Sequence, residues 1–211
     1  MSRSGRSSCM RVLLVHGIWN ARHWLAPLAL RLRAAGLQPE LFGYASVLGD
    51  PVAAGDRLIA RLRASPADGI VGHSLGGLVA LDALRRAPDL AVRRVVCLGS
   101  PLRGSRVAGA IARRRPLHLA LGGSRALLES GCPDWAGLAE VGVVAGSRGQ
   151  GVGRWFVDMD QPSDGTVLLE ETRLPGIADH CVLPCSHTGL VLSAEAAQRT
   201  ARFLRDGRFG V

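Results

Sequence analysis

Ile70-Val71-Gly72-His73-Ser74-Leu75-Gly76-Gly77-Leu78-Val79 runs an apolar lead-in directly into a helix-like stretch that continues to Arg86. The glycines at 72 and 76 flank a residue that a cramped strand-to-helix turn pushes outward, which makes Ser74 a candidate nucleophile. The same turn places the Leu75 amide at a helix N-terminus, aimed at any negative charge developing on a substrate oxygen. In a chain with 27 glycines the bare pattern carries little weight. The strand before it and the helix after it give it meaning.

Outward from this point, strands and helices alternate. Residues 11–15 form a short buried strand ending at His16-Gly17, and 21–35 place Trp24, Leu25, Leu28 and Leu32 at helical spacing before Gly36. Residues 37–44 read as a second strand, and Asp50-Pro51 opens a second helix carrying Leu58, Ile59 and Leu62. The strand 69–73, the helix 76–87 and a strongly apolar strand 92–98 continue the rhythm. This order implies an α/β fold, a parallel sheet with helices on both faces. The segment 101–134 is rich in Arg and Gly, has no clear strand, and reads as an insertion. A strand at 141–145, a glycine-rich loop at 146–153, a last strand at 181–184 and a helix from Ser193 to Leu204 complete the chain.

At 211 residues, 47% of them hydrophobic, the chain reads as one domain around one core. The start is basic, and the apolar run behind it is too short for an export signal or a membrane span. Five cysteines without a repeating spacing suit reduced thiols. A cytoplasmic protein is the expectation. Net charge is +9, and every basic residue is arginine. These arginines are scattered along helix-like stretches with few aromatics between them, which describes solvated faces rather than a nucleic-acid surface.

A serine hydroxyl is a poor nucleophile until a base takes its proton. Ligands of open parallel sheets bind beyond the carboxyl ends of the strands, so the base should follow a strand. His187 does so, whereas its rival His180 stands at the entry of the same strand. The imidazole needs an acceptor for its other nitrogen; Asp164, in Ser163-Asp164-Gly165-Thr166, is preferred over its neighbours Asp158 and Asp160. A second oxyanion donor is expected from the loop His16-Gly17-Ile18-Trp19, through the Ile18 amide paired with that of Leu75. His16 then braces the loop, and His73 is a packed neighbour of the turn. The Trp19 ring either lines an acyl (substrate) pocket or belongs to the core or rim. A metal at Cys181, Cys185 and His187 is discounted, because that spacing is not a usual zinc pattern.

Taken together, His16-Gly17-Ile18-Trp19, Gly72 to Gly77, Leu98-Gly99-Ser100-Pro101 with Gly104-Ser105, Ser163 to Thr166 and Ser186 to Leu190 resemble the α/β-hydrolase superfamily. The likeness is to its small lipase and esterase branch, including lipase-like relatives of glycosylphosphatidylinositol inositol-deacylases. It implies a minimal α/β-hydrolase fold of about six mostly parallel strands. It also implies Ser74, Asp164 and His187 as the catalytic triad, oxyanion amides at Ile18 and Leu75, no metal and no cofactor. Cleavage of small-molecule or lipid esters through an acyl-enzyme is the expected activity. An inactive binding protein of the same fold, or an acyltransferase or thioesterase using the same triad, are the alternatives. The insertion stands where larger relatives carry a cap. Its apolar run 107–111, followed by Arg113, Arg114 and Arg115, suits a helix covering the sheet, or else peripheral contact with a lipid surface.

Overall fold

A computed structural model describes residues 9–156 and 161–210. Six strands form one all-parallel sheet in the order β2-β1-β3-β4-β5-β6. They are β1 (Arg11–Val15), β2 (Gln38–Phe42), β3 (Gly69–His73), β4 (Arg94–Leu98), β5 (Glu140–Gly146) and β6 (Asp179–Leu183). Alternate residues of each strand face opposite ways, so the sheet divides two cores. Leu13, Val15, Ile70, Val95, Cys97, Val141 and Val143 pack beneath α2 (Pro51–Ala64), α3 (Leu75–Arg86), α4 (Arg106–Ala112) and α5 (Arg125–Ser130). Val12, Leu14, Val71, Val96, Leu98 and Val144 pack beneath α1 (Ala26–Ala34), α6 (Gly189–Leu192) and α7 (Ala194–Asp206).

From β1 the chain moves outward to β2 and then returns past β1 to β3. The strand order therefore reverses between β1 and β3, and the carboxyl ends of those two strands are where an open parallel sheet of this kind binds its ligands. His16-Gly17-Ile18-Trp19 and Ser74-Leu75 directly follow those two strands.

Several boundaries differ from the sequence expectations, each for a local reason. The helix expected over 21–35 begins with a 3-10 turn, Arg22–Leu25, and becomes α-helical at Ala26, with Pro27 in the first turn where its missing N–H costs nothing. The second strand is trimmed to Gln38–Phe42; its Pro39 is tolerated because β2 is an edge. In the 101–134 segment, α4 buries Val107, Ala108, Ala110 and Ile111, so this apolar run covers the sheet. α5, which sequence periodicity missed, is short and preceded by a 3-10 turn at Gly122–Ser124. Ser193 caps α7, its hydroxyl accepting from the Ala196 amide at 3.1 Å. Among the described residues no helix is long and apolar enough to cross a membrane.

α7 anchors the second core through Phe203, which is fully buried and lies 4.8 Å, ring to ring, from Phe209. Phe203→Ala is predicted to lower stability by about 3–5 kcal/mol, read as a drop in the urea midpoint at unchanged m-value.

Candidate functional site

Ser74 occupies the turn between β3 and α3 with φ 54° and ψ −123°, a left-handed conformation that a side chain adopts only under strain. Such a residue costs on the order of 1–3 kcal/mol and is held by its surroundings. The Ser74 amide donates to the Leu98 carbonyl at 2.9 Å, and its carbonyl accepts from the Gly77 amide at 3.1 Å. A Cβ on Gly76 would stand 2.2 Å from the Val15 carbonyl oxygen, so α3 can begin this close to β1 only with glycine there. Leu75 is the first residue of α3, and its amide is one that a helix leaves without an internal partner.

The loop after β1 runs against the same turn. A Cβ on Gly17 would lie 3.0 Å from Ser74 Cβ and 3.2 Å from the His73 carbonyl oxygen. Ile18 follows, partly buried against the first core. His16 is buried and braces this loop: Nδ1–H donates to the Gly17 carbonyl at 2.9 Å, and Nε2 faces the Tyr44 amide at 3.4 Å. Its ring stacks on Tyr44 at 4.5 Å, while the Tyr44 hydroxyl donates to the His16 carbonyl at 2.9 Å. Burial holds the His16 imidazole below its usual range, which keeps it uncharged near neutrality. Tyr44 was not singled out from sequence, because nothing local to it signals a contact 28 residues away. Trp19 has φ 60°, is half exposed, and its indole N–H donates to the Ala120 carbonyl at 2.7 Å.

Asp164 and His187 meet across 23 residues. His187 Nδ1–H donates to Asp164 Oδ2 at 2.7 Å, and the His187 amide donates to the Asp164 carbonyl at 2.9 Å. The Asp164 carboxylate is almost wholly buried, and its other oxygen accepts from the Thr166 and Val167 amides at 2.9 and 2.8 Å. Three donors thus replace the water it loses. Gly99, with φ 55°, leaves the space this pair fills: a Cβ there would sit 2.9 Å from Asp164 Oδ2 and 3.2 Å from His187 Nδ1. Asp158 and Asp160, the other acids considered, lie outside the described residues.

His73 connects the turn to the His187 loop. Its Nε2–H donates to the His187 carbonyl at 3.1 Å, and the two rings are 4.8 Å apart. That bond fixes the tautomer, leaving Nδ1 as a buried acceptor without a partner among the described residues. Burial first, and the neighbouring His187 second, push the His73 imidazole down to about 3. His180 points elsewhere, Nε2 sharing a 2.9 Å hydrogen bond with the Thr172 hydroxyl.

Glu171 is a further buried acid that sequence reasoning overlooked. Its carboxylate accepts from the Arg106 amide at 2.7 Å and from the Leu168 amide at 3.0 Å, and its carbonyl accepts from the Arg103 amide at 2.9 Å. The segment after β4 is therefore tied to the loop that carries Asp164. Burial raises its carboxyl above the usual range. The only hint in the sequence is an acidic pair, Glu170-Glu171, beside apolar Val167-Leu168-Leu169. Among the described residues, no three His, Cys, Asp or Glu side chains are grouped to hold a metal. Cys181 and Cys185 are both free thiols, partly buried.

The family model for the alpha/beta hydrolase family matches residues 12–209. The chain belongs to that family. No curated protein sequence matches it. Among solved structures, it is similar to the mature form of the Bacillus licheniformis lipase BlEst2, at 19% identity and a TM-score of 0.77 over 94% of this chain and 92% of that one. The metagenomic carboxyl esterase MGS0156 follows at 17% identity and a TM-score of 0.65, over 95% and 77% of the two chains. The type II thioesterase BorB from the borrelidin biosynthetic cluster is similar at 18% identity and a TM-score of 0.64, over 94% and 92%. At these identities the likeness speaks for the fold.

Between pH 6.5 and 3 the unfolded chain carries a proton on residue 73 that the folded chain lacks, so stability falls as the pH drops through that window. Two units below 6.5 the loss is roughly 2–3 kcal/mol. His73→Gln keeps a donor for the His187 carbonyl but does not titrate. Urea unfolding at pH 7 and at pH 4.5 is expected to show that much less acid destabilisation in the variant, and equal acid dependence would refute a neutral, buried His73.

Proposed function

We propose that this protein is a serine hydrolase that cleaves carboxylic esters through an acyl-enzyme. The observation that carries the reading is the 2.7 Å bond from His187 Nδ1–H to a buried Asp164 whose second oxygen is already held by two amides. An imidazole fixed in this tautomer keeps Nε2 unprotonated, which is the form a general base needs.

On this reading Ser74 Oγ attacks the ester carbonyl carbon while His187 Nε2 accepts the hydroxyl proton. Asp164 offsets the positive charge that the imidazole gains without itself taking the proton. The carbonyl oxygen, now an anion, is met by the amides of Leu75 and Ile18. One donor of this kind is worth about 10²–10³ in rate, because it is aimed before the charge appears. The tetrahedral adduct collapses, the C–O bond to the alcohol breaks, and His187 returns the proton to the departing oxygen. Water then repeats the sequence on the acyl-serine and releases the acid. A neutral His73 suits this cycle, since a second positive charge 4.8 Å from the His187 ring would oppose protonation of the base.

A fluorophosphonate is expected to label Ser74 and to leave Ser74→Ala unlabelled, as read by mass spectrometry. With p-nitrophenyl butyrate, Ser74→Ala should fall to the background rate. Asp164→Asn should lose roughly 10³–10⁴ in kcat, because it favours the wrong tautomer of His187. A folded wild type that is neither labelled nor active on a series of p-nitrophenyl esters would overturn the reading.

A further inference from the structure

The side chains that the fold leaves bare at one rim share a chemistry. Trp19, 52% exposed, directly follows the loop that touches Ser74. Its indole bond to the Ala120 carbonyl sets it against the 3-10 turn Leu117–Ala120, where Leu117 and Leu119 are 42% and 67% exposed. Leu48, 97% exposed, lies beside the next 3-10 turn, Gly122–Ser124. Its loop is pinned there by the Gly123 amide donating to the Val47 carbonyl at 3.2 Å and the Ser124 hydroxyl donating to the Ser46 carbonyl at 2.7 Å. On the other side Arg114 reaches the Trp155 carbonyl at 3.4 Å and covers the Phe156 ring at 5.5 Å, leaving the Trp155 side chain 77% exposed.

Charge accompanies these apolar tips. Arg113, Arg114 and Arg115 are all exposed and immediately precede the turn, and among the described residues none of them is in an ion pair. From residue 101 to residue 128 the sequence has six arginines and no Asp or Glu. Some surface arginines elsewhere are neutralised locally, as with Arg61 on Glu40, Arg63 on Asp89 and Arg94 on Glu140. Tryptophan and leucine beside uncompensated arginines are what an interfacial segment presents to anionic headgroups. The apolar run of α4 has no part in this, since it is turned into the core.

We propose that this rim, Trp19, Leu48, Leu117, Leu119 and Trp155 with Arg113 to Arg115, docks on an anionic lipid surface. The part of the inference that names the substrate rests on the ester-hydrolase reading: the rim adjoins Ser74, so the esters delivered to it are acyl esters residing in that surface. The docking itself does not depend on catalysis.

The test is co-sedimentation with vesicles of phosphatidylcholine alone and of phosphatidylcholine with phosphatidylglycerol, with activity on soluble p-nitrophenyl acetate followed in parallel. The wild type should bind only the anionic vesicles, with tryptophan fluorescence quenched by brominated lipid and the quenching reduced in Trp155→Phe. Replacing Arg113, Arg114 and Arg115 together by Gln should weaken partitioning by roughly 100-fold. A control triple Gln variant at Arg31, Arg33 and Arg202, exposed on α1 and α7, removes the same charge and should retain binding. Leu117→Ser with Leu119→Ser should weaken binding to the anionic vesicles while leaving soluble-ester turnover unchanged. Absence of binding to anionic vesicles, equal loss in the two arginine triples, or full binding by the leucine variant would each overturn the proposal. Loss of soluble-ester activity in the wild type with vesicle binding intact would instead strike the hydrolase reading alone.

Discussion

A strained backbone at one serine governs this molecule. Ser74 can hold φ 54° because β3 ends and α3 begins inside a space that admits no Cβ at the flanking glycines, with the Val15 carbonyl oxygen closing one side. The strain and the closeness are two aspects of one arrangement. Had α3 started farther from β1, the turn could relax, but the amide of Leu75 and the loop at Gly17 would no longer flank one point. The complete burial of β3 and the nearly complete burial of α3 supply the packing that keeps the turn from opening.

Much of this was legible in the sequence because the deciding signals are local. Glycine spacing around Ser74, β-branched runs ending at a histidine, and turn residues around Asp164 all act over a few positions, and the all-parallel sheet follows from their alternation. Edges were harder to place. Pro27 shifted the start of α1 through a constraint on a single residue that a periodicity count averages away. α5 was invisible because six residues carry less than two turns of pattern.

Long-range polar partners form the other gap. Tyr44 braces His16 from 28 positions away, His73 reaches the His187 carbonyl across 114, and Glu171 contacts Arg106 across 65. A buried polar group must find a partner, but its own neighbours in the chain do not name that partner. The position of His73 beside Ser74 marked it as a packed neighbour of the turn, and it is buried there.

Glu171 carries an implication for how this fold can be altered. One carboxylate holds the first amide of α4 with one oxygen and the start of a tight turn with the other, so the segment beyond β4 and the loop bearing Asp164 share a single clasp. The two regions therefore constitute one transplantable module. A foreign segment grafted into positions 103–130 with the native acid loop kept would have to present a main-chain N–H where Arg106 now does, or one Glu171 oxygen would stay buried without that donor; carrying residues 163–172 along with the graft removes the demand.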